Sequence, residues 1–315
     1  MTPHNALILH HYPQSPVAEK VRTVLGIKGL KWYSVEIPRL PPKPDLVPLT
    51  GGYRRTPVLQ IGADIYCDSH CIIRQLDQRY PNPSLFPQGP PALSWVMSKW
   101  TDEKLFTQCI ALVLGAAENL PAEFAADRGR LYFGQQFKIE SLQNDTDFLL
   151  SQITAQFGLF SQMLGNQAFL DGQSAGLKDV LAHYLVWFVV GRYAGGAGVI
   201  SRYNNLIAWQ QRMQSIGQGH ATDLPSSEAL NVARDSQPQA RNLAVDINRA
   251  GLTVGQAVQV IPDGDGGDPA VCGALLNLDD QRISLRRHSV ELGNTVVHFP
   301  FDGYRCESVI RADRY

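Results

Sequence analysis

The 315-residue sequence is poor in charge, in cysteine and in long apolar runs, and each shortage excludes a class of protein. Only 18% of the residues are charged and the formal net charge is −1, so nothing indicates nucleic acid or an anionic membrane as a partner. No apolar run approaches the roughly 20 residues of a membrane-spanning helix, and the first residues lack the charged and apolar pattern of a secretion signal. We therefore expect a soluble, cytoplasmic protein.

The five cysteines are too few for a disulfide framework in a chain of this length. None of their spacings matches a zinc site, so we expect reduced thiols and no bound metal. Cys67 and Cys71 flank the predicted start of a helix. Because a helix N-terminus lowers a thiol pKa, a reactive Cys67 is an alternative to a small buried side chain. Residues 263–268 are all Asp or Gly, but a calcium loop starting there would need Gly in place of Asp268 and Glu in place of Ala274, so the stretch predicts a charged hairpin turn.

The stretch from residue 53 to 69 organises the rest of the sequence. Thr56 and Pro57 precede a short strand-like run, where proline is tolerated as the first residue, and the bond between them is a candidate for the cis form. A short glycine-containing loop and a second strand follow. Asp68 and Ser69 then stand where an N-cap stands, ahead of apolar residues spaced by three and four.

This combination resembles the glutathione-binding half of the cytosolic glutathione transferase superfamily. The family's signature is a cis-proline after a basic or polar loop, two antiparallel strands, and an acidic residue and serine that open a helix. The resemblance implies that a helix start binds the γ-glutamyl carboxylate, that backbone beside the proline binds the cysteinyl part, and that one of two arginines neutralises the glycyl end. The implied glutathione-binding residues are Arg54, Arg55, Thr56, Pro57, Asp68 and Ser69.

The surrounding sequence predicts a thioredoxin-like α/β domain over residues 5–81, in which a strand, a helix opening at Ser15 and a second strand come first. Resemblance to the family's first-helix motif implies that Ser15 holds the glutathione sulfur and favours its thiolate. Helix capping is the alternative role of Ser15, and Tyr12 is the alternative donor to the sulfur. A serine replaces the first cysteine of the thioredoxin Cys-x-x-Cys pair, so disulfide exchange through that pair is excluded.

The rest of the sequence divides into a helical region and a strand-rich tail. After a linker with five prolines, apolar stripes predict an all-helical domain over residues 92–220, where the resemblance ends. Residues 221–250 are polar and predict a linker or extension that crosses the surface. Short strand-like runs over residues 251–315 predict a small antiparallel β-sheet or barrel, which the usual transferase pattern lacks. We expect this β module to be separable by truncation near residues 235–238.

Two features of the helical region bear on its packing and on a second substrate. Family members place a capping box before a buried helix, and Gly176-x-x-Asp179 keeps its aspartate with glycine in place of Ser or Thr. Several aromatic side chains could line an apolar pocket, although core packing is the alternative. They are Trp95, Trp100, Tyr132, Phe133 and Trp187.

These observations lead to one functional hypothesis and two alternatives. The hypothesis is a glutathione transferase active in detoxification, in which the glutathione thiolate attacks a small apolar electrophile, with glutathione as co-substrate and no metal. The resemblance also implies a homodimer. The first alternative is a non-catalytic scaffold whose β module recognises a protein partner. The second is a glutathione-dependent reductase or lyase, which Ser15 disfavours because such reductases use a cysteine there.

Overall fold

The computed structural model describes residues 2–134, 136–239, 251–264 and 266–309. Its strands are β1 (Ile8–His11), β2 (Lys31–Glu36), β3 (Val58–Ile61), β4 (Asp64–Cys67), β5 (His220–Asp223), β6 (Ala257–Pro262), β7 (Val271–Leu278), β8 (Arg282–Ser289), β9 (Gly293–Pro300) and β10 (Tyr304–Ser308). Its helices are α1 (Pro16–Ile27), α2 (Val47–Thr50), α3 (Ser69–Arg79), α4 (Pro91–Lys99), α5 (Phe106–Gly115), α6 (Ala122–Phe133), α7 (Ile139–Asn144), α8 (Thr146–Leu164), α9 (Leu177–Arg192), α10 (Gly196–Ile200), α11 (Asn204–Ile216) and α12 (Ser226–Arg234). A π-helical turn, Trp100–Leu105, joins α4 to α5.

The N-terminal elements follow the thioredoxin-like order β1–α1–β2–α2–β3–β4–α3. Strand β1 pairs in parallel with β2 and antiparallel with β3, and β3 pairs antiparallel with β4. Every residue of β1, β3 and β4 is buried, as expected for strands covered on both faces. The predicted α/β domain, the helical region after it and the C-terminal strands are therefore confirmed.

The C-terminal strands continue the N-terminal sheet. Strand β9 pairs in parallel with β4, with Ile65 opposite Val297, and β8, β7, β6 and β10 follow as antiparallel neighbours. Among the described residues, the sheet has ten strands in the order β10-β6-β7-β8-β9-β4-β3-β1-β2-β5. Truncation near residues 235–238 would uncover the backbone edge of β4, so the expected separability of the β module has no support in this pairing.

The predicted linker over residues 221–250 contains a buried helix in its described part. Helix α12 packs against β2 and β9. Its buried face consists of Ala229, Val232 and Ala233, whose small side chains let the helix lie close to the sheet. The side-chain N–H of Gln60 on β3 donates to the carbonyl of Ala229 at 2.8 Å. Residues 240–250 lie outside the described ranges.

A buried polar cluster lies where β4 and β9 meet. The imidazole of His298 on β9 contacts Asp64 Oδ1 through Nε2 at 3.0 Å and Ser284 Oγ through Nδ1 at 2.9 Å. Its ring stacks on Tyr66 with 4.4 Å between centroids. The second carboxylate oxygen of Asp64 accepts the backbone N–H of Gln239 at 2.7 Å. Every hydrogen-bonding atom of this imidazole is thus paired inside the sheet, as burial requires.

The chain forms two compact units. The first contains the sheet and consists of the described residues among 1–18, 31–76 and 221–315. The second consists of the described residues among 19–30 and 77–220 and is mainly helical. Inside it, Asp179 accepts hydrogen bonds from three backbone N–H groups, including that of Gly176 at 3.0 Å, and from the indole of Trp209 at 2.7 Å. The aspartate of the predicted capping box therefore also anchors α11 to α9.

Candidate functional site

The β3–β4 hairpin brings the two halves of the predicted binding motif together. Val58, the first residue of β3, lies opposite Cys67, the last residue of β4. Pro57 and Asp68 are the next residues outward on either side, so they lie beside each other at one end of the hairpin. Ser69, the first residue of α3, follows immediately. Ten residues lie between Pro57 and Asp68 in the chain, and the hairpin register alone makes them neighbours.

The loop after β1 opens at the same end of the sheet. His10 of β1 lies opposite Val58, so the chain leaves β1 where the proline enters β3. Tyr12 and Ser15 lie in this loop, just before α1. The predicted sulfur-contacting residues and the predicted tripeptide-binding residues thus share one end of the first unit.

The start of α3 has the geometry of an anion-binding helix end. Asp68 has φ of 73°, in the left-handed region that aspartate tolerates better than most side chains. Its Oδ1 accepts the backbone N–H of His70 at 2.8 Å. Ser69 is buried and begins an 11-residue helix whose first N–H groups point outward along its axis. The left-handed turn at Asp68 directs the chain from β4 into this helix.

Thr56 and Pro57 are joined by a cis peptide bond, the form for which the sequence made them candidates. The hydroxyl of Thr56 accepts a hydrogen bond from the ammonium of Lys43 at 2.9 Å. The same ammonium lies 6.0 Å from the centre of the Tyr12 ring, and the guanidinium of Arg39 lies 5.9 Å from it. Sequence reasoning missed both cations, because they lie in the proline-rich loop before α2 and no periodic pattern marks them.

Ser15 is buried, and its Oγ accepts the backbone N–H of Ala18 at 3.1 Å. This is the N-cap role that the sequence left open as an alternative. A serine hydroxyl has one hydrogen to donate in addition to its acceptor lone pairs. Capping therefore uses the oxygen of Ser15 as an acceptor and leaves its O–H for a second interaction.

The two arginines of the motif are paired with a carboxylate from the β module. Asp268 lies between β6 and β7 with a nearly buried side chain, and its Oδ2 accepts from Arg55 Nε at 3.0 Å and Nη2 at 2.5 Å. Arg54 Nε lies 3.4 Å from its other oxygen. Although burial lowers the pKa of Arg55, the hydrogen bonds and charge of Asp268 outweigh that effect and raise it. The acidic turn predicted from the sequence thus neutralises part of the predicted site.

A tyrosine of the β module contacts the acidic residue of the motif. The hydroxyl of Tyr304 on β10 donates to Asp68 Oδ2 at 3.1 Å and lies 3.4 Å from the hydroxyl of Tyr53. Burial, followed by the charge of Asp68, raises the pKa of both tyrosines well above the usual value. Both hydroxyls therefore keep their protons at neutral pH, and Tyr304 is a permanent donor to the carboxylate.

Neither cysteine near α3 is a reactive thiol. Cys67 and Cys71 are buried, and burial raises the pKa of Cys67 well above the usual value and that of Cys71 to about 12. The alternative of a reactive Cys67 is wrong, because loss of hydration outweighs the field of the helix end. Within the described ranges, no group of three or more His, Cys, Asp or Glu side chains is placed to hold a metal ion.

The aromatic residues considered for a second-substrate pocket pack against their neighbours in the helical unit. Trp100 donates its indole N–H to Gln156 at 2.8 Å, and Phe133 stacks on Phe137 with 5.3 Å between centroids. Elsewhere in this unit an open cleft of about 450 Å³ is lined by Phe169, Ala208, Gln211, Arg212, Ser215 and Ile216. None of the five predicted aromatics lines that cleft. In the described part of the chain, no helix combines the length and apolarity needed to cross a membrane.

Comparison with known proteins identifies the class. Residues 9–84 match the family described as glutathione S-transferase, N-terminal domain. A GST-like protein of known structure from Pseudomonas syringae is 32% identical, with 96% of this chain and 99% of that chain covered and a TM-score of 0.75. Glutathione S-transferase U1 from Arabidopsis thaliana is 24% identical over 209 residues, which are 64% of this chain and 81% of that protein. The chain belongs to the glutathione S-transferase superfamily.

The extent of these matches separates the shared fold from the added strands. A glutathione S-transferase from Rhodospirillum rubrum covers 66% of this chain with 19% identity and a TM-score of 0.51, and so shows the fold alone. The Pseudomonas syringae protein covers nearly the whole chain, so its match extends into the C-terminal strands. The β module is therefore an architecture that this chain shares with another GST-like protein.

Proposed function

We propose that this protein binds glutathione at the end of the β3–β4 hairpin and transfers its thiolate to a small apolar electrophile. The observation that supports this best is the convergence of Pro57, Asp68 and Ser69 through the hairpin register. Membership of the superfamily supports glutathione as the co-substrate. The proposal extends to a homodimer, which the resemblance of the sequence implies, and to a cytoplasmic location.

Each part of the tripeptide has a chemically matched group at this site. Ser69 and the first N–H groups of α3 suit the γ-glutamyl carboxylate, since the partial positive charge of a helix start favours an anion. Asp68 suits the ammonium on the α carbon of the γ-glutamyl residue, which also carries that carboxylate. The backbone of Thr56 and Pro57 at the start of β3 suits the extended cysteinyl part. Arg54 or Arg55 suits the glycyl carboxylate, although both share Asp268.

For the chemical step we propose that Ser15 donates its O–H to the glutathione sulfur. A free thiol has a pKa near 8.5 and attacks only as the thiolate, so a donor to the sulfur increases the reactive fraction at neutral pH. The capping bond to Ala18 fixes the Ser15 oxygen and leaves its hydrogen for this purpose. Tyr12 remains the alternative donor from the same loop.

Binding is tested by calorimetric titration of glutathione into the parent protein and Ser69→Ala. We expect roughly ten-fold weaker binding in the variant, because it loses a hydroxyl ligand at the helix start. Ser289→Ala is the matched control, since Ser289 accepts the backbone N–H of Leu292 at 3.1 Å in the β8–β9 hairpin and is not part of the proposed site. A parent protein that does not bind glutathione, or equal affinities in parent and Ser69→Ala, would refute the placement of the ligand.

The proposed hydrogen bond from Ser15 to the glutathione sulfur is tested with Ser15→Ala. This variant should leave glutathione affinity nearly intact while raising the pKa of the bound thiol and slowing conjugation at neutral pH. Thiolate absorbance against pH reports the thiol directly. If the bound thiol titrates identically in parent and variant, Ser15 does not contact the sulfur, and Tyr12→Phe tests the alternative. A protein that binds glutathione but conjugates no generic electrophile would favour the scaffold hypothesis.

A further inference from the structure

The β module contacts the loop that leads into Pro57, and this pre-proline loop (residues 51–56) bears on the whole site. The guanidinium of Arg287 on β8 lies against Gly51 and donates to the carbonyl of Pro48 at 3.3 Å. Tyr53 packs edge-on against Phe299 of β9 with 5.8 Å between ring centroids. The module thus supports the loop from strands that the resemblance to the family does not cover.

Two further contacts reach charged side chains of the proposed site itself. Asp268 accepts two hydrogen bonds from Arg55 and forms an ion pair with Arg54. Tyr304 donates to the carboxylate of Asp68. The first contact lies at the end proposed for the glycyl carboxylate, and the second lies at the end proposed for the γ-glutamyl ammonium. We propose that Asp268 and Tyr304 are positioning residues of the glutathione site, so that the β module completes the site at both charged ends of the tripeptide. This inference rests on the proposed function.

Tyr304 positions Asp68 by leaving the carboxylate one orientation. The carboxylate accepts the His70 N–H on Oδ1 and the Tyr304 hydroxyl on Oδ2, so both oxygens are fixed from the protein side. Each oxygen has a lone pair left for a ligand ammonium. Without the tyrosine hydroxyl, Oδ2 is free to rotate or to bind water, and the ammonium loses an aligned acceptor.

Asp268 positions the arginines by holding two like charges side by side. Adjacent guanidinium groups repel each other, and a carboxylate bound to both offsets that repulsion. Two positive charges and one negative charge leave one net positive charge for a ligand carboxylate. The two bonds from Arg55 to Asp268 Oδ2 fix its planar fork, and pre-organisation of this kind lowers the entropic cost of binding.

The test at the γ-glutamyl end is the affinity of Tyr304→Phe for two ligands, glutathione and glutaryl-cysteinylglycine, which lacks only the α-ammonium. We expect about ten-fold weaker binding of glutathione and less than about two-fold change for the analogue. The lost hydrogen bond orients the Asp68 carboxylate, and only glutathione has an ammonium for that carboxylate to bind. Arg305→Gln is the matched control, since Arg305 also lies on β10 and its ion pair with Asp263 is exposed. Equal losses for both ligands, or no loss for either, would overturn the role of Tyr304.

The test at the glycyl end compares glutathione with its glycine amide in Asp268→Asn. We expect about ten-fold weaker binding of glutathione and a change of less than about two-fold for the amide. Asp263→Asn, in the same loop, is the control. Unchanged or tighter binding of glutathione to Asp268→Asn would overturn the role, because Asp268 would then compete with the ligand carboxylate.

The outcomes separate this inference from the function on which it rests. If the parent protein does not bind glutathione, the proposed function fails and the inference falls with it. If the parent binds glutathione, and the ratio of affinities for glutathione and its analogue is the same in both variants as in the parent, only the inference fails. Thermal unfolding accompanies each titration. Should one variant not fold, the other decides, since Asp268 and Tyr304 lie on separate segments of the module.

Discussion

Replacement of His298 by alanine tests whether the buried cluster at the β4–β9 junction holds the added strands on the N-terminal sheet. His298 is fully buried and its imidazole is bonded on both sides, to Asp64 and to Ser284. A carboxylate only accepts, so Nε2 carries the proton toward Asp64 and Nδ1 accepts the hydroxyl of Ser284. His298→Ala removes both bonds and also the ring that stacks on Tyr66.

We expect a loss of about 4 kcal/mol in the free energy of unfolding. Loss of the hydrogen bond to the buried carboxylate costs about 2 kcal/mol, and the unpaired Ser284 hydroxyl costs about 1 kcal/mol more. The cavity left by the ring adds roughly 1–2 kcal/mol, and partial relaxation reduces the sum. Whole domains are stable by only about 5–15 kcal/mol, so this single change should remove a large part of the stability of the first unit.

The assay is urea unfolding of parent and variant, combined with amide hydrogen exchange of peptides from β4 and β9. We expect a lower midpoint with an unchanged slope, and faster exchange in both strands. His288→Ala is the matched control, because His288 is exposed on β8 and its imidazole contacts the exposed Asn294. Its effect should stay within about 0.5 kcal/mol. A loss below about 1 kcal/mol for His298→Ala, with normal exchange, would refute the reasoning.

The pH dependence of the free energy of unfolding gives a second test of the role of His298. Burial lowers the pKa of His298, although Asp64 acts in the opposite direction. The unfolded chain, with the ordinary histidine pKa near 6.5, therefore binds a proton that the folded chain does not bind. Stability should fall as the pH drops below about 6.5, and His298→Ala should lose less of it. His10, whose pKa burial lowers to about 4, titrates in the same direction in both proteins, so the difference between them isolates His298.

Two predictions concern the helical unit, and thermal unfolding checks both. Asp179→Ala should cost at least about 3 kcal/mol, because it leaves three buried backbone N–H groups and the indole of Trp209 without their acceptor, and a cost under about 1 kcal/mol would contradict that account. Gly26→Ala should cost roughly 2–3 kcal/mol, since its Cβ would overlap the carbonyl oxygen of Gly217, whereas Gly191→Ala, with open space around the added carbon, should stabilise by up to about 1 kcal/mol. Equal effects of the two glycine changes would show that helix propensity, and not overlap with Gly217, determines the change in stability.

The sequence by itself determined the features that depend on residues close together in the chain. The β3–β4 hairpin follows from two short apolar runs around a glycine, and the start of α3 follows from Asp68 and Ser69 ahead of an apolar face. The bond between Gly176 and Asp179 spans one helical turn. In each case the deciding interactions are backbone preference, capping and side-chain periodicity, which act over a few residues and leave a pattern in the sequence.

Only the tertiary structure decided how the C-terminal strands are used. The pairing of β4 with β9 joins Ile65 to Val297, and the contacts of Asp268 with Arg55 and of Tyr304 with Asp68 span 213 and 236 residues. An acidic turn and a strand tyrosine look the same in the sequence whether they face solvent or a neighbouring arginine. Strand order across such distances depends on which edges are left unpaired and which faces meet, and no local pattern encodes either.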